Sequence, residues 1–341
     1  MKKRFFAFLC AVVCSIGMFG VGCKKAPEGE ITVYMPDGAP ALAFAGLMHE
    51  DTAEDGVSYY VTNAAQIASK VSYNNMEDNA DFCVLPLTAA TAKVGNGERY
   101  QMVGAVTHGN LYMISKNADI TYSVDNLSSL IGKKVGVLQL ASTPGMMFKS
   151  MLKKNGVAYN DLTGGGELAA DKINLTPIVI PEGAKPAQIL NGMIGQGVNV
   201  FVMAEPAVTA LKNGGFVTVG DVQALYDVNG FTQAVLVAKK SLLETHTDWV
   251  KDFLDDINNS ADWALSQSGE TLVNAVQTHM EDSTAKTSLN AATLGGEVVA
   301  RSGVRFEATS ICKAKTEDFL QIAKSVESKT AIPNENFYWI G

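Results

Sequence analysis

The groups in this sequence best placed to do chemistry are polar residues that follow short apolar runs. Ser142 and Thr143 precede Pro144 at the start of a segment with helical apolar spacing. A hydroxyl and backbone N–H groups at a helix start can hold an anion. The same hydroxyl can instead cap its own helix, and the residues alone leave both roles open. Glu205, ahead of Pro206, offers a carboxylate to an amine or an aminopyrimidine, or only favours its own helix N-terminus. Asp37 carries the same ambiguity. Asn63 and Thr88 follow strand-like runs and serve either a ligand or a turn. Gly38, Ala39 and Asn110 complete the expected ligand-binding positions, with Asn110 at the border of a hinge. Two acids at the mouth of a site disfavour a simple inorganic anion and suit a zwitterion or a neutral ring bearing donors. Tyr34, His108 and Tyr112 could stack on such a ring, although an aromatic in or beside a strand more often belongs to a core.

No constellation for catalysis emerges. The sequence holds no Gly-x-Ser-x-Gly elbow, His-Glu-x-x-His helix, Walker A loop or EF-hand loop. His49, His108, His246 and His279 are scattered, with no two at metal-ligand spacing. The run Gly164-Gly-Gly166 lacks the strand and helix that a dinucleotide loop needs. No catalytic residue, metal or cofactor is therefore expected.

The elements that position these residues alternate. Strands are expected at 31–35, 57–61, 82–85, 101–106 and 111–115, with helices at 41–48, 65–71 and 88–94. Strand, helix, strand, helix at this spacing implies a parallel sheet with helices packed on it. A second block repeats the rhythm, with strands at 134–140, 174–180 and 198–203. Its first helix opens at Pro144 and stops at Asn155-Gly156; others open at Pro186 and after Pro206. Residues 231–238 form a strand returning towards the first block, and the remainder is mostly helical. Trp249, Val250, Phe253, Leu254, Ile257 and Ala261 keep a 3.6-residue period, as do Phe319, Leu320, Ala323 and Val326. One α/β unit, a second, and a return imply two lobes with a cleft between them.

The N-terminus stands apart. Lys2, Lys3 and Arg4 precede an uncharged run at 5–19, long enough for a secretory signal and short of the roughly 20 apolar residues of a membrane span. Gly20, Gly22 and Cys23 then resemble a bacterial lipobox, although Gly20 stands where lipoboxes usually carry Leu. The expected organisation is a signal peptide at 1–22, lipidation at Cys23 and a tether at 23–30; plain secretion with an ordinary Cys23 is the alternative. Removing 22 of the 341 residues leaves 319; removing Lys2, Lys3 and Arg4 leaves 24 basic against 35 acidic side chains, a formal charge of −11. An acidic chain without a basic block argues against nucleic acid as a partner, and against adsorption to anionic lipid except through the anchor. Cys83 and Cys312 remain after the signal and anchor, each among apolar or small neighbours. Two buried free thiols are expected, with a disulfide as the alternative.

Several of these stretches resemble a known family in order. Residues 127–137 (Leu-Ser-Ser-Leu-Ile-Gly-Lys-Lys-Val-Gly-Val) and the Ser142-Thr143-Pro-Gly145 helix start resemble the entry into the second lobe of extracytoplasmic solute-binding proteins. Residues 202–207, with Glu205-Pro206, and the later Asn213-Gly214-Gly215 are similar to the Glu-Pro step of binding proteins for nitrate, sulfonate, taurine and thiamine precursors. Gly38-Ala39-Pro40 resembles their first strand-to-helix turn. The resemblance spans essentially the whole chain. It implies an α/β fold of two Rossmann-like lobes joined by a two-crossover hinge, the type 2 periplasmic binding protein, with a helical C-terminal segment packed on the first lobe. Lobe 1 is expected at 31–116 and 240–341, and lobe 2 at 117–239. The implied function is the substrate-binding protein of an ABC transporter: a monomeric lipoprotein at the extracytoplasmic face of the bacterial cell membrane. It would deliver a small molecule to an ABC permease and its ATPase. The ligand class (sulfonate, amino acid, pyrimidine or vitamin precursor) is open. The chain departs from the fungal pyrimidine-synthase relatives in lacking their cysteine-rich motif. A ligand-sensing surface lipoprotein without its own transporter, and a small-molecule lyase on the same fold, are the rival readings.

Overall fold

The computed structural model describes residues 26–50, 56–72, 79–181 and 184–341. The expected signal peptide, Cys23 and the start of the tether lie outside them. Ile31, Val33 and Met35 alternate inward in β1 (Ile31–Pro36), the pattern of a strand with one well-covered face. Two short helices follow, α1 (Ala39–Leu42) and α2 (Ala45–Glu50), and then β2 (Val57–Thr62), parallel to β1. In β3 (Phe82–Pro86) the run Phe-Cys-Val-Leu is buried throughout, because this strand lies mid-sheet with both faces covered. The helix α3 (Leu87–Val94) leads to β4 (Tyr100–Thr107).

Residues 108–110 then carry the chain into a second sheet. It holds β5 (Leu111–Ser115), β6 (Lys134–Leu138), β7 (Tyr159–Asp161), β8 (Ile173–Ile178), β9 (Val198–Ala204) and β10 (Val217–Asp221). The helices of this lobe are α4 (Thr143–Lys154), α5 (Pro186–Ile194), α6 (Ala207–Leu211) and α7 (Val222–Tyr226). Residues 227–233 lead back to β11 (Ala234–Lys239), α8 (Lys240–Thr245), α9 (Thr247–Ala264), α10 (Gly269–Thr278), α11 (Gly296–Arg301), β12 (Val304–Ala308) and α12 (Thr309–Val326). Spatial order is β12-β4-β11-β3-β1-β2 in the first sheet and β10-β5-β9-β6-β8-β7 in the second. The protein is thus two α/β lobes joined by two crossovers.

The expected lobe boundaries shift at both ends. Residues 111–115, expected in the first lobe, form β5, which pairs with β9 and β10 in the second sheet. Residues 234–239, expected in the second lobe, form β11, which lies between β3 and β4 in the first sheet. An apolar strand pattern reports burial and does not name its neighbour. The single helix expected at 41–48 is two. The Ser260 hydroxyl of α9 accepts from the amides of Gly46 (2.9 Å) and Leu47 (3.3 Å), capping α2 from outside its own segment.

The helices after β11 cover the first lobe as expected. Val250, Phe253, Leu254, Ile257 and Ala261 form the buried stripe of α9, with Phe253 4.9 Å from Phe82. The last helix does more. Its buried face packs on β4 and also against α4 of the second lobe, so it bridges the two. Phe231 on the return crossover stacks on Phe319, and Tyr226 meets both edge-on. Cys83 and Cys312 are free thiols, both buried.

Candidate functional site

In sheets of this kind ligands gather beyond the carboxyl ends of parallel strands. On the first lobe, Asp37 follows β1 and its amide donates to Thr62 O at 2.9 Å. Its carboxylate is already engaged, accepting from Thr287 Oγ1 (2.5 Å) and from the Ser288 amide (2.7 Å). Asp37 therefore fastens the 287–288 loop over the turn at Gly38 and Ala39, where α1 begins. Asn63 follows β2, and its Oδ1 accepts from the Ala65 amide at 2.8 Å. Asp37, Thr62, Asn63, Gln66, Lys70 and Lys286 line one cavity of about 620 Å³. Lys70 lies 4.5 Å from the Tyr34 ring centre and pairs with Glu281; Tyr34 stacks on Tyr60 at 4.7 Å. Thr88 is half-buried in the first turn of α3, its carbonyl accepting from Thr91 Oγ1.

On the second lobe, Ser142 occupies the N-cap position of α4, but its hydroxyl makes no capping bond. Ser142 is exposed and Thr143 half-buried. The turn before them is tight. Gln139 has φ 48°, and a Cβ at Gly145 would lie 2.0 Å from Leu140 O, so only glycine fits there. The Ser142 hydroxyl is thus spent on no capping bond to its own helix.

Glu205 is placed differently. Its side chain is fully buried. Oε2 accepts from the Thr209 amide at 3.0 Å, and Oε1 accepts from Thr209 Oγ1 at 3.1 Å and from Arg301 Nε at 2.7 Å. The carboxylate serves its own helix and an arginine of the other lobe. Asn110 is its neighbour in the first crossover: Asn110 O accepts from the Glu205 amide at 2.9 Å, and Asn110 Nδ2 donates to Glu205 O at 3.3 Å. Asn110 Oδ1 also accepts from Gln233 Nε2, which ties one crossover to the other. The expected positions thus fall into groups: Asp37 and Asn63 in one cavity, Thr88 at α3, Ser142 and Thr143 at α4, Asn110 and Glu205 at the hinge.

Sequence reading missed Arg301. Arginine is scarce in this chain, with only Arg99, Arg301 and Arg305 beyond Arg4, and its planar fork suits buried pairing. Two of the three lie here. Tyr112, expected as a possible stacking residue, lies beneath the Arg301 guanidinium at 4.3 Å. His108 is buried at the hinge. Burial, then Arg305, lower its pKa to about 3, so the ring is neutral. Among the described residues, no cluster of three His, Cys, Asp or Glu is placed to hold a metal ion.

Two α/β lobes joined by two crossovers define the class of two-lobed binding-protein folds. The NMT1/THI5-like family model matches residues 64–271, and the chain belongs to that family. No curated protein sequence matches it. Solved structures share the fold. An ABC transporter structure from Parabacteroides distasonis superposes with TM-score 0.66 at 19% identity, covering 92% of this chain and 99% of that one. The periplasmic aliphatic sulphonate binding protein SsuA from Escherichia coli gives 0.58 at 15%, covering 92% of each. The alkanesulfonate-binding protein SsuA from Xanthomonas axonopodis pv. citri, bound to MOPS, gives 0.55 at 12%, covering 92% and 99%.

Proposed function

We propose that the chain is the solute-binding component of an ABC importer, capturing a small polar organic molecule between its lobes and passing it unaltered to a permease. One observation carries this reading: β1, β2 and β9 are followed by Asp37, Asn63 and Glu205, β6 leads to the Ser142–Thr143 helix start, and two short crossovers at 108–110 and 227–233 join the two sheets. From strand pairing, one lobe comprises 31–107 with 234–341 and the other 111–226. Asp37, Gly38, Ala39, Asn63 and Thr88 contribute from the first lobe, and Ser142 and Thr143 from the second. Asn110 and Glu205 act through the hinge. The sulfonate ligands of the Escherichia and Xanthomonas proteins favour a sulfonate or another solute with one anionic end, held at the α4 start.

Closure of the lobes requires a solute that binds the closed form better; moving the balance from 1:99 to 99:1 takes roughly 5.5 kcal/mol. The protein is read as a carrier rather than a catalyst, a monomer outside the cytoplasm, held to the membrane by lipid on Cys23. Burial pushes the Cys312 thiol up to about 11 and the Cys83 thiol higher, which withholds both as nucleophiles at neutral pH. Mass spectrometry of small molecules released on denaturing the purified protein tests the function. A stoichiometric solute that also compacts the protein in X-ray scattering supports it. Release of a chemically converted product, or tight binding without compaction, contradicts it.

A further inference from the structure

Arg301 ends α11, a helix of the first lobe: Val298 and Val299 lie in that lobe's core, and after Ser302 and Gly303 the chain enters β12, paired with β4. Its side chain nevertheless crosses to the second lobe. Arg301 Nε donates to Glu205 Oε1 at 2.7 Å, just beyond β9, and Nη2 donates to Thr218 Oγ1 at 3.2 Å on β10. The guanidinium covers the Tyr112 ring of β5, and the Tyr112 hydroxyl donates back to Arg301 O at 2.9 Å. Two strands of one lobe, and the turn that follows a third, thus hold one residue of the other. The Glu205 side chain is fully buried and that of Arg301 is 20% exposed, so the pair is partly shielded from the solvent that weakens surface ion pairs.

The residues that follow hold both crossovers. Gly303 O accepts from the His108 amide at 2.9 Å, and a Cβ at Gly303 would lie 2.2 Å from Gly109 O, so the contact is backbone against backbone. Arg305 Nη2 donates to Asn229 O at 2.8 Å on the return crossover.

We propose that residues 301–305 form a third hinge element and that Arg301 is a positioning residue, clamping the second lobe and fixing the angle from which the lobes close. This rests on the reading of a solute captured between lobes, but its test needs no solute. Spin labels at Lys93→Cys and Lys172→Cys, exposed on the first and second lobes, would report the inter-lobe distance in the full mature chain by pulsed electron resonance. Wild type should give one narrow distribution. Arg301→Ala should broaden and shift it, with circular dichroism unchanged, and Arg301→Lys should restore part of the wild-type profile. Arg301→Gln, which keeps donors and loses charge, serves as the second variant should alanine prevent folding. An unchanged distribution in the folded Ala or Gln variant overturns the clamp. Failure to find any solute would count against the carrier role and leave this measurement intact.

Discussion

Phe231 and Phe319 stack face to face, with ring centres 5.3 Å apart and planes 18° from parallel. One ring belongs to the return crossover and the other to the last helix, so the contact joins the hinge to a helix that touches both lobes. Tyr226 closes the group edge-on at 5.7 and 5.6 Å, and its hydroxyl donates to Asp318 at 3.2 Å. Both phenylalanines are completely buried. Phe319→Ala should cost about 3–5 kcal/mol in urea unfolding, at the upper range for core truncations. A loss below about 1 kcal/mol would mean the hinge tolerates the cavity.

Ser142 and Thr143 separate two roles that the sequence could not. The Ser142 hydroxyl makes no capping bond, so Ser142→Ala with Thr143→Ala should cost helix α4 only a few tenths of a kcal/mol. Solute affinity should fall by about 1.5–3 kcal/mol if a charged group is held there. Calorimetric titration alongside thermal unfolding distinguishes the two. Unchanged affinity in a folded double variant removes these residues from the site.

Asp37 should behave in the opposite way. Its carboxylate holds the Thr287 hydroxyl and the Ser288 amide, so Asp37→Ala should cost about 1–3 kcal/mol and speed hydrogen exchange at Ser288. Persisting protection of that amide would show the loop is fastened by other means.

His108 makes the fold acid-sensitive. Burial and the neighbouring Arg305 and Lys315 lower its pKa to about 3, against the opposing pull of Glu307. An unfolded histidine titrates near 6.5. The unfolded chain therefore takes up a proton first. His108 contributes stability that is whole above about pH 6.5 and drains away as pH falls towards 3. His108→Gln should flatten the melting temperature across that window. An equally steep decline in the variant would place the sensitivity elsewhere.

Cys23→Ala should abolish incorporation of labelled palmitate in the expressing cell and release the protein from the membrane fraction. Retention of label would move the anchor to another residue.

Much of this architecture could be read from residue patterns. The all-apolar run at 82–85 gave a mid-sheet strand, and Pro144 with Asn155-Gly156 marked both ends of α4 because each restricts the backbone locally. Sheet membership was not legible for β5 and β11, since alternation records what is buried and not which strand lies alongside. The edge strands β10 and β12 carry charged or small residues (Val-Thr-Val-Gly-Asp and Val-Arg-Phe-Glu-Ala) and escaped the apolar criterion. The local role of Glu205 was legible, because Thr209 lies one turn on and its amide and hydroxyl donate to the carboxylate. Its pairing with Arg301, 96 residues away, left no local mark.

The position of β11 has a consequence for the order in which the molecule is completed. Until residues 234–239 exist, the first sheet has an open slot between β3 and β4, and the amides of Gly46 and Leu47 await a hydroxyl from residue 260. The second sheet needs only residues 111–221, one uninterrupted stretch. In a polypeptide made from its amino end, the lobe that begins later is finished earlier, and the lobe that begins first stays incomplete until its late strand and helices arrive.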